Sequence, residues 1–291
     1  MLVANNWKEY QILDMSNGEK LEMWGKYKFL RPDPQIIWNN KMNKDLWTNI
    51  DAHYHRNNKG GGYWEYKKNI PETFVINYRD LKFKIGLMGF KHTGLFPEQA
   101  VNWDYFIDKI TRAKQNRTEP IKVLNLFAYT GAASVVALRA GASVVHVDSS
   151  RGMVDWAKEN VRVNNLDESM VRYIVDDVIK FVSREIRRGN KYDVIIMDPP
   201  SFGRGANGEV WDIEKDLFHL LKLCKDILSE EPLLFLVNSY SGLSPSLLEN
   251  LLNLTINKTK PGKITSAEIG LPIKVNDLVL PCGIYGRIDY E

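Results

Sequence analysis

Three acids and one aromatic ring stand where a group-transfer site would need them. Asp198 is followed by Pro199, Pro200 and Phe202 in "MDPPSF" (197–202). The run before them, "YDVIIM", has the β-branched texture of a strand in the middle of a parallel sheet. Proline cannot donate to a sheet ladder, so the chain leaves the sheet at Pro199, with Asp198 and Phe202 at the strand's carboxyl end. Ligands of open parallel sheets bind outside that end, so the loops after the other strands carry the rest of the site. After "IKVLNLFAY" comes Gly131, which permits a tight turn straight into a helix whose first N–H groups face the ligand. After "SVVHV" comes Asp148, and after "VRYIV" come Asp176 and Asp177.

A carboxylate at Asp148 can accept both hydroxyls of a ribose. A dinucleotide would also want GxGxxG in the preceding loop, for the turn and for close approach to the pyrophosphate. The loop "FAYTGAAS" has a single glycine, with Thr130 before it. It suits an adenosine carrying a short sulfonium chain, that is, S-adenosylmethionine (SAM). The third strand's acid would take the adenine amino group, with Asp177 favoured and Asp176 the alternative. Singly, each piece has a plain structural reading: a glycine before a helix is a turn, and a strand-end aspartate is a helix cap. In this order they describe a SAM site.

The elements that must position these residues have two textures. Residues 1–95 read as a small, β-rich, mostly antiparallel domain: "YQILDMSNGEKLEMWG" has Asn-Gly between two alternating runs, "RNNKGGGYW" supplies another loop, and "PETFVINYRDLKFKIGL" alternates likewise. Residues 96–120 read as a connecting helix with Trp103, Phe106, Ile107 and Ile110 on one face. From 121 to 291 strands alternate with helices, which predicts an α/β, Rossmann-like, seven-stranded sheet, mostly parallel, closed by an antiparallel hairpin made of "KITSAEIGL" and "CGIYGRIDY".

Composition bounds the function. At 291 residues and 44% hydrophobic content the chain can bury a sizeable core. Neither a secretory signal nor a membrane-length apolar run is visible, which predicts a soluble, cytoplasmic protein. Cys224 and Cys282 show no CxxC spacing, so no disulfide framework or structural zinc site is expected. His53 and His55 alternate in "HYH", but no acid or cysteine partner stands out nearby, and no metal is expected. Residues 1–120 carry 19 Lys+Arg against 14 Asp+Glu, and the remainder 20 against 22, so the front is mildly basic. Six of eight tryptophans lie there too, which fits either a surface that stacks on bases or a small aromatic core.

"VLNLFAYTGAASVVALRAGA", "VDSSRGMVDWAKENV" and "MDPPSFGRG", with the upstream "LKFKIGLMGFKHTGLFPEQ", resemble class I SAM-dependent methyltransferases. More narrowly they are similar to the bacterial 23S ribosomal RNA group that includes cytosine-5 and guanine-7 enzymes, over residues 75 to 290. The resemblance implies that Phe127, Tyr129, Thr130 and Gly131 surround the methionine part of SAM. It implies Asp148 at the ribose, Asp177 at the adenine, Asp198 near the methyl group, and Phe96 and Gln99 closing the pocket; Ser149 and Val178 complete the cofactor set. Arg151 replaces the group's usual lysine. The cytosine-5 members end the fifth strand in Ser-Cys-Ser-Gly, whereas this chain has "NSYSG", with Tyr240 in the cysteine's place. Covalent cytosine-5 chemistry needs that thiolate.

Direct methyl transfer to a base nitrogen is therefore the expected reaction, with RNA, ribosomal RNA above all, as substrate. Catalysis would be mostly positioning. Asp198 would orient the acceptor or take its proton, the Pro199 and Pro200 carbonyls would accept from an amino group, and Phe202 would stack. "GRGANGEVW" would be a mobile lid. The rival expectations are a methyltransferase for a protein side chain or small metabolite, and a SAM-binding nucleic-acid-binding protein without turnover.

Overall fold

The chain, described here from a computed structural model over residues 1–57, 61–205, 208–240 and 242–290, begins with β1 (Leu2–Val3) and β2 (Tyr10–Ser16). Asn17 and Gly18 both take left-handed backbone (φ 55° and 76°) and turn β2 back into β3 (Glu19–Trp24), as Asn-Gly does in two-residue hairpins. There follow β4 (Tyr27–Pro32), β5 (Ala52–Arg56), β6 (Gly62–Tyr66), β7 (Thr73–Tyr78) and β8 (Leu81–Gly86). Strands β2 to β6 form a five-stranded sheet in chain order, and β7 pairs with β8. Only the β4–β5 pairing is parallel. Residues 58–60, in the Asn/Gly-rich loop, lie outside the described residues.

Contacts divide the chain into two units, and the first comprises Leu2–Ala100 with Gly270–Cys282. Its interior holds a charged knot. Arg31 Nε and Nη2 donate to the two carboxylate oxygens of Glu22 (2.5 and 2.7 Å), and Tyr10 Oη donates to Glu22 Oε1 (2.7 Å). Trp24 is fully buried beside Tyr10, and the partly buried Trp7 lies against Tyr10 and Tyr78 and Trp64 against Phe29 and Tyr54, while Trp38, Tyr63, Tyr66 and Phe90 are exposed.

The second unit comprises Met1, Val101–Ile269 and Gly283–Glu291. After a short turn at Pro97–Gln99, α1 (Ala100–Lys114) buries Trp103, Phe106 and Ile110 along one face. Then come β9 (Lys122–Leu126), α2 (Ala132–Arg139), β10 (Ser143–Asp148), α3 (Arg151–Val163), β11 (Val171–Val175), α4 (Val178–Arg188) and β12 (Val194–Met197). The chain continues through β13 (Phe202–Arg204), β14 (Val210–Asp212), α5 (Ile213–Cys224), β15 (Leu234–Ser239), α6 (Pro245–Leu254), α7 (Ile256–Thr259), β16 (Lys263–Pro272) and β17 (Val279–Asp289).

The large sheet runs β1-β16-β17-β15-β12-β9-β10-β11. It holds the seven expected strands, plus the two-residue β1, whose neighbour Ala4 donates to Gly270 O within the first unit. Strands β15, β12, β9, β10 and β11 are mutually parallel and β17 is antiparallel to β15. β12 and β15 are buried at every position, which is why β12 and the first four residues of β15 read as apolar runs; Asn238 and Ser239, which end β15, are buried polar residues. Phe181, Leu217, Leu220 and Leu221 from α4 and α5 pack with Leu124, Ile195, Met197 and Phe235 of the sheet.

Candidate active site

Chain order runs from β9 outward through β10 and β11, then returns to β12 on the other side of β9, so the strand order reverses between β9 and β12. That reversal opens a crevice at the carboxyl ends. In the register, Met197 is opposite Leu126, so Phe127 and Asp198 leave the sheet side by side; Asp198 N–H donates to Leu126 O at 3.4 Å.

The loop after β9 is wound tightly. Phe127, Tyr129 and Gly131 all have positive φ (53°, 51° and 83°), an alternation that two non-glycine residues adopt at a cost of order 1 kcal/mol each. Several contacts hold it. Tyr129 N–H donates to Asp148 Oδ2 at 2.8 Å, Asn160 Nδ2 donates to Thr130 O at 2.8 Å, and Ala128 N–H donates to Val147 O at 3.0 Å. Gly131 is the N-cap of α2, and a Cβ there would lie 2.7 Å from Ala157 Cβ of α3. Only glycine meets both demands. Beneath the loop, Asn125 donates to Ser134 Oγ, which pairs with Nδ1 of buried His146 at 3.0 Å; burial pushes that imidazole down to about 3 and keeps it neutral.

Asp148 ends β10 half-buried. Its other oxygen, Oδ1, accepts from Ser150 N–H at 2.8 Å, and desolvation raises its pKa against the lowering effect of the two backbone bonds. A carboxylate has about four acceptor directions, so two N–H donors leave room for ribose hydroxyls. The backbone donor is Ser150, while Ser149 is exposed.

Both acids after β11 have structural duties. Asp177 is the N-cap of α4 and accepts from Lys180 N–H at 2.9 Å, with Val178, the first helical residue, buried beside it. Asp176 accepts from Asp177 N–H and is ion-paired with Arg184.

Asp198 is different. No cation pairs with its half-buried carboxylate among the described residues, and desolvation alone lifts its pKa to about 6. Pro199 is buried and Pro200 exposed. Trp211 Nε1 donates to Pro200 O at 2.7 Å, so that carbonyl is already engaged. Phe202 is 57% exposed and no core ring. The expected lid begins and ends as a ladder: β13 pairs antiparallel with β14, Phe202 opposite Asp212 and Arg204 opposite Val210, while Ala206 and Asn207 lie outside the described residues. Trp211 also packs against Phe127 (4.7 Å between centroids), linking the Pro-Pro turn to the glycine loop.

Tyr240 follows β15 and is 43% exposed; Ser241 beside it lies outside the described residues. Cys224 and Cys282 are buried, and burial raises both thiols above their ordinary range. Phe96 and Gln99 belong to the first unit, where Gln99 N–H donates to Phe96 O at 3.1 Å; the other candidate residues belong to the second. Trp211, Asn160, Ala157 and Ser150 escaped the sequence reading, because each acts through a contact made only on folding.

A doubly wound sheet with a glycine-capped helix, a half-buried strand-end acid and a Pro-Pro turn at its switch point is the class I, Rossmann-like architecture. Residues 19–251 match the family of S-adenosylmethionine-dependent methyltransferases, and the chain belongs to that family. It is 32% identical over 187 residues to ribosomal RNA large subunit methyltransferase K/L of Syntrophotalea carbinolica, covering 64% of this chain and 25% of that protein. It is 31% identical over 189 residues to ribosomal RNA large subunit methyltransferase K of Neisseria meningitidis, covering 63% and 51%. The chain thus matches a quarter to a half of these relatives' lengths. The crystal structure of a SAM-dependent methyltransferase from Agrobacterium tumefaciens superposes with a TM-score of 0.90 at 35% identity, covering 100% of this chain and 93% of that one. The putative methyltransferase SMU.776, crystallised with S-adenosylhomocysteine, shares the fold (TM-score 0.74, 21% identity, 98% and 76% covered). The family's cofactor is SAM, and the Gly131 turn and the partly unsatisfied Asp148 carboxylate fit it. No helix of the described residues is long and apolar enough to cross a membrane.

Proposed function

We propose that this protein methylates a base nitrogen in RNA, with large-subunit ribosomal RNA the leading substrate, and that it works in the cytoplasm. SAM supplies an electrophilic methyl group on a sulfonium. Phe127, Tyr129, Thr130 and Gly131 hold its methionine part, and Asp148 its ribose. Asp177 and Val178 would hold its adenine, and Ser149 would border the pocket. The Pro199 carbonyl would accept from an acceptor amino group, Phe202 would stack on the base, and Asp198 would take the proton that the nitrogen loses as its bond to the methyl carbon forms, the methyl's bond to sulfur breaking with its electron pair left on the sulfur as a neutral thioether.

One observation carries the reading: an unpaired carboxylate raised to about 6, one residue beyond a central strand and four before an exposed aromatic ring. The sequestered thiols favour nitrogen over cytosine C5, since neither cysteine offers a thiolate. Support for ribosomal RNA comes from the relatives' names.

The test is transfer of labelled methyl from SAM to RNA of cells lacking this protein, with and without ribonuclease, beside Asp198→Ala. Ribonuclease-sensitive label that the variant loses is the expected result, and digestion then names the base. Intact SAM binding with no label in RNA would overturn the RNA reading, and label in protein or a small metabolite would replace it.

A further inference from the structure

Two histidines and a glutamate converge on one face of the five-stranded sheet of the first unit. His53 and His55 stand two apart on β5, so both project to the same side. Their rings lie 3.9 Å apart between centroids, tilted by 45°. Glu65 on β6 is the register partner of His53, and its Oε2 lies 2.9 Å from His55 Nε2. One donor atom from each of His53, His55 and Glu65 falls within 4.8 Å of the others. Glu19, on β3, brings Oε1 to 2.6 Å from His53 Nε2.

We propose that His53, His55 and Glu65, with Glu19 as fourth donor, form a binding site for a divalent transition ion of the zinc type. The donors are two imidazole nitrogens and two carboxylate oxygens, the set that Zn2+ accepts at about 2.0–2.2 Å in a tetrahedron. Such bonds put neighbouring donors roughly 3.3–3.5 Å apart, which His53, His55 and Glu65 reach by small rotations from their spacing within 4.8 Å, while Glu19, shown beside His53, swings toward the other two. Two carboxylates balance the charge of the dication. Exposed Lys67, whose Nζ is 3.9 Å from Glu65 Oε2, is displaced by the ion. The site pins β3, β5 and β6 together, a structural role independent of methyl transfer.

The experiment uses the full chain after chelator treatment, titrated calorimetrically with zinc chloride, and with cobalt(II) followed by visible absorption. We expect one ion per chain with a Kd below about 1 μM, and weakening beyond ~100-fold in His55→Gln and in Glu65→Gln, more than loss of an outer-shell partner costs. His219→Gln, an exposed histidine on α5, keeps the wild-type affinity. Absence of saturable binding, or wild-type affinity in His55→Gln, would overturn the proposal. Should the variants not fold, the wild-type cobalt spectrum decides alone: intense four-coordinate bands support the site, and the weak spectrum of hydrated octahedral cobalt refutes it.

Discussion

Trp211 donates its indole N–H to the carbonyl oxygen of Pro200 at 2.7 Å while its ring packs on Phe127. One side chain thus fixes the turn proposed to hold the acceptor and touches the loop proposed to hold the cofactor. Trp211→Phe keeps an aromatic ring but deletes the donor, at a cost of about 1 kcal/mol in that bond. We expect kcat to fall about 10-fold with SAM affinity within a factor of two, read by single-turnover kinetics beside equilibrium SAM binding.

The pH profile follows from Asp198. If it takes the acceptor's proton, it must be ionised, so kcat/KM for the acceptor rises through pH 6 and levels above it. Asp198→Asn abolishes both the activity and that limb. The same shift bears on stability: the folded pKa, about 6, stands above the ordinary 3.8. The native state is therefore favoured most below pH 3.8, and that contribution is lost as pH rises through 6. Asp198→Asn should raise stability at pH 8 by up to roughly 3 kcal/mol, measured by chemical denaturation.

Gly131 is constrained twice, by φ of 83° and by the 2.7 Å approach of a would-be Cβ to Ala157 Cβ. Gly131→Ala should cost about 3 kcal/mol of stability and weaken SAM binding at least 10-fold. Adding Ala157→Gly relieves the clash and leaves the backbone strain, so the double variant recovers about half the loss. Equal stability of single and double variants would show that the collision is not felt.

Much of the fold was legible because its signals are local. Asn17-Gly18 specifies a hairpin from its own backbone preferences, the apolar runs of β12 and β15 advertise strands buried on both faces, and Pro199-Pro200 marks where the sheet ends. The acids at strand ends were legible for the same reason, since topology sends every parallel strand's carboxyl end to one edge. What stayed hidden depends on partners distant in sequence. Ser150 rather than Ser149 donates to Asp148, Trp211 occupies Pro200's carbonyl, and Glu65 faces the histidines through a register that "HYH" does not contain. The charged knot of Glu22 and Arg31 was equally invisible, because Glu22 reads as a surface position in an alternating strand.

That knot sets the acid stability of the first unit. Against the desolvation of Glu22, the charges of Arg31 and Lys20, with hydrogen bonds from Arg31 and Tyr10, hold its carboxyl at about 2, below the ordinary 4.5. Its stabilising contribution is complete above pH 4.5 and is lost as pH falls toward 2. Glu22→Gln leaves the Arg31 guanidinium buried without its counter-charge and should destabilise by about 3–5 kcal/mol. Thermal unfolding at pH 7 measures this; a loss below 1 kcal/mol would mean water relieves the arginine.

The first unit draws its residues from two segments far apart in the sequence: Ile12 forms a bridge with Ile273, and Lys274 N–H donates to Ile12 O at 2.9 Å. Synthesis is vectorial, at about 5–20 residues per second, so roughly 15–50 s separate the emergence of these two segments from the ribosome. Throughout that interval the nascent β2 lacks its Ile273 bridge, while the doubly wound sheet is still being made. A fragment cut after residue 100 would carry the same vacancy permanently, and the unit is completed only once residues 270–282 have been made.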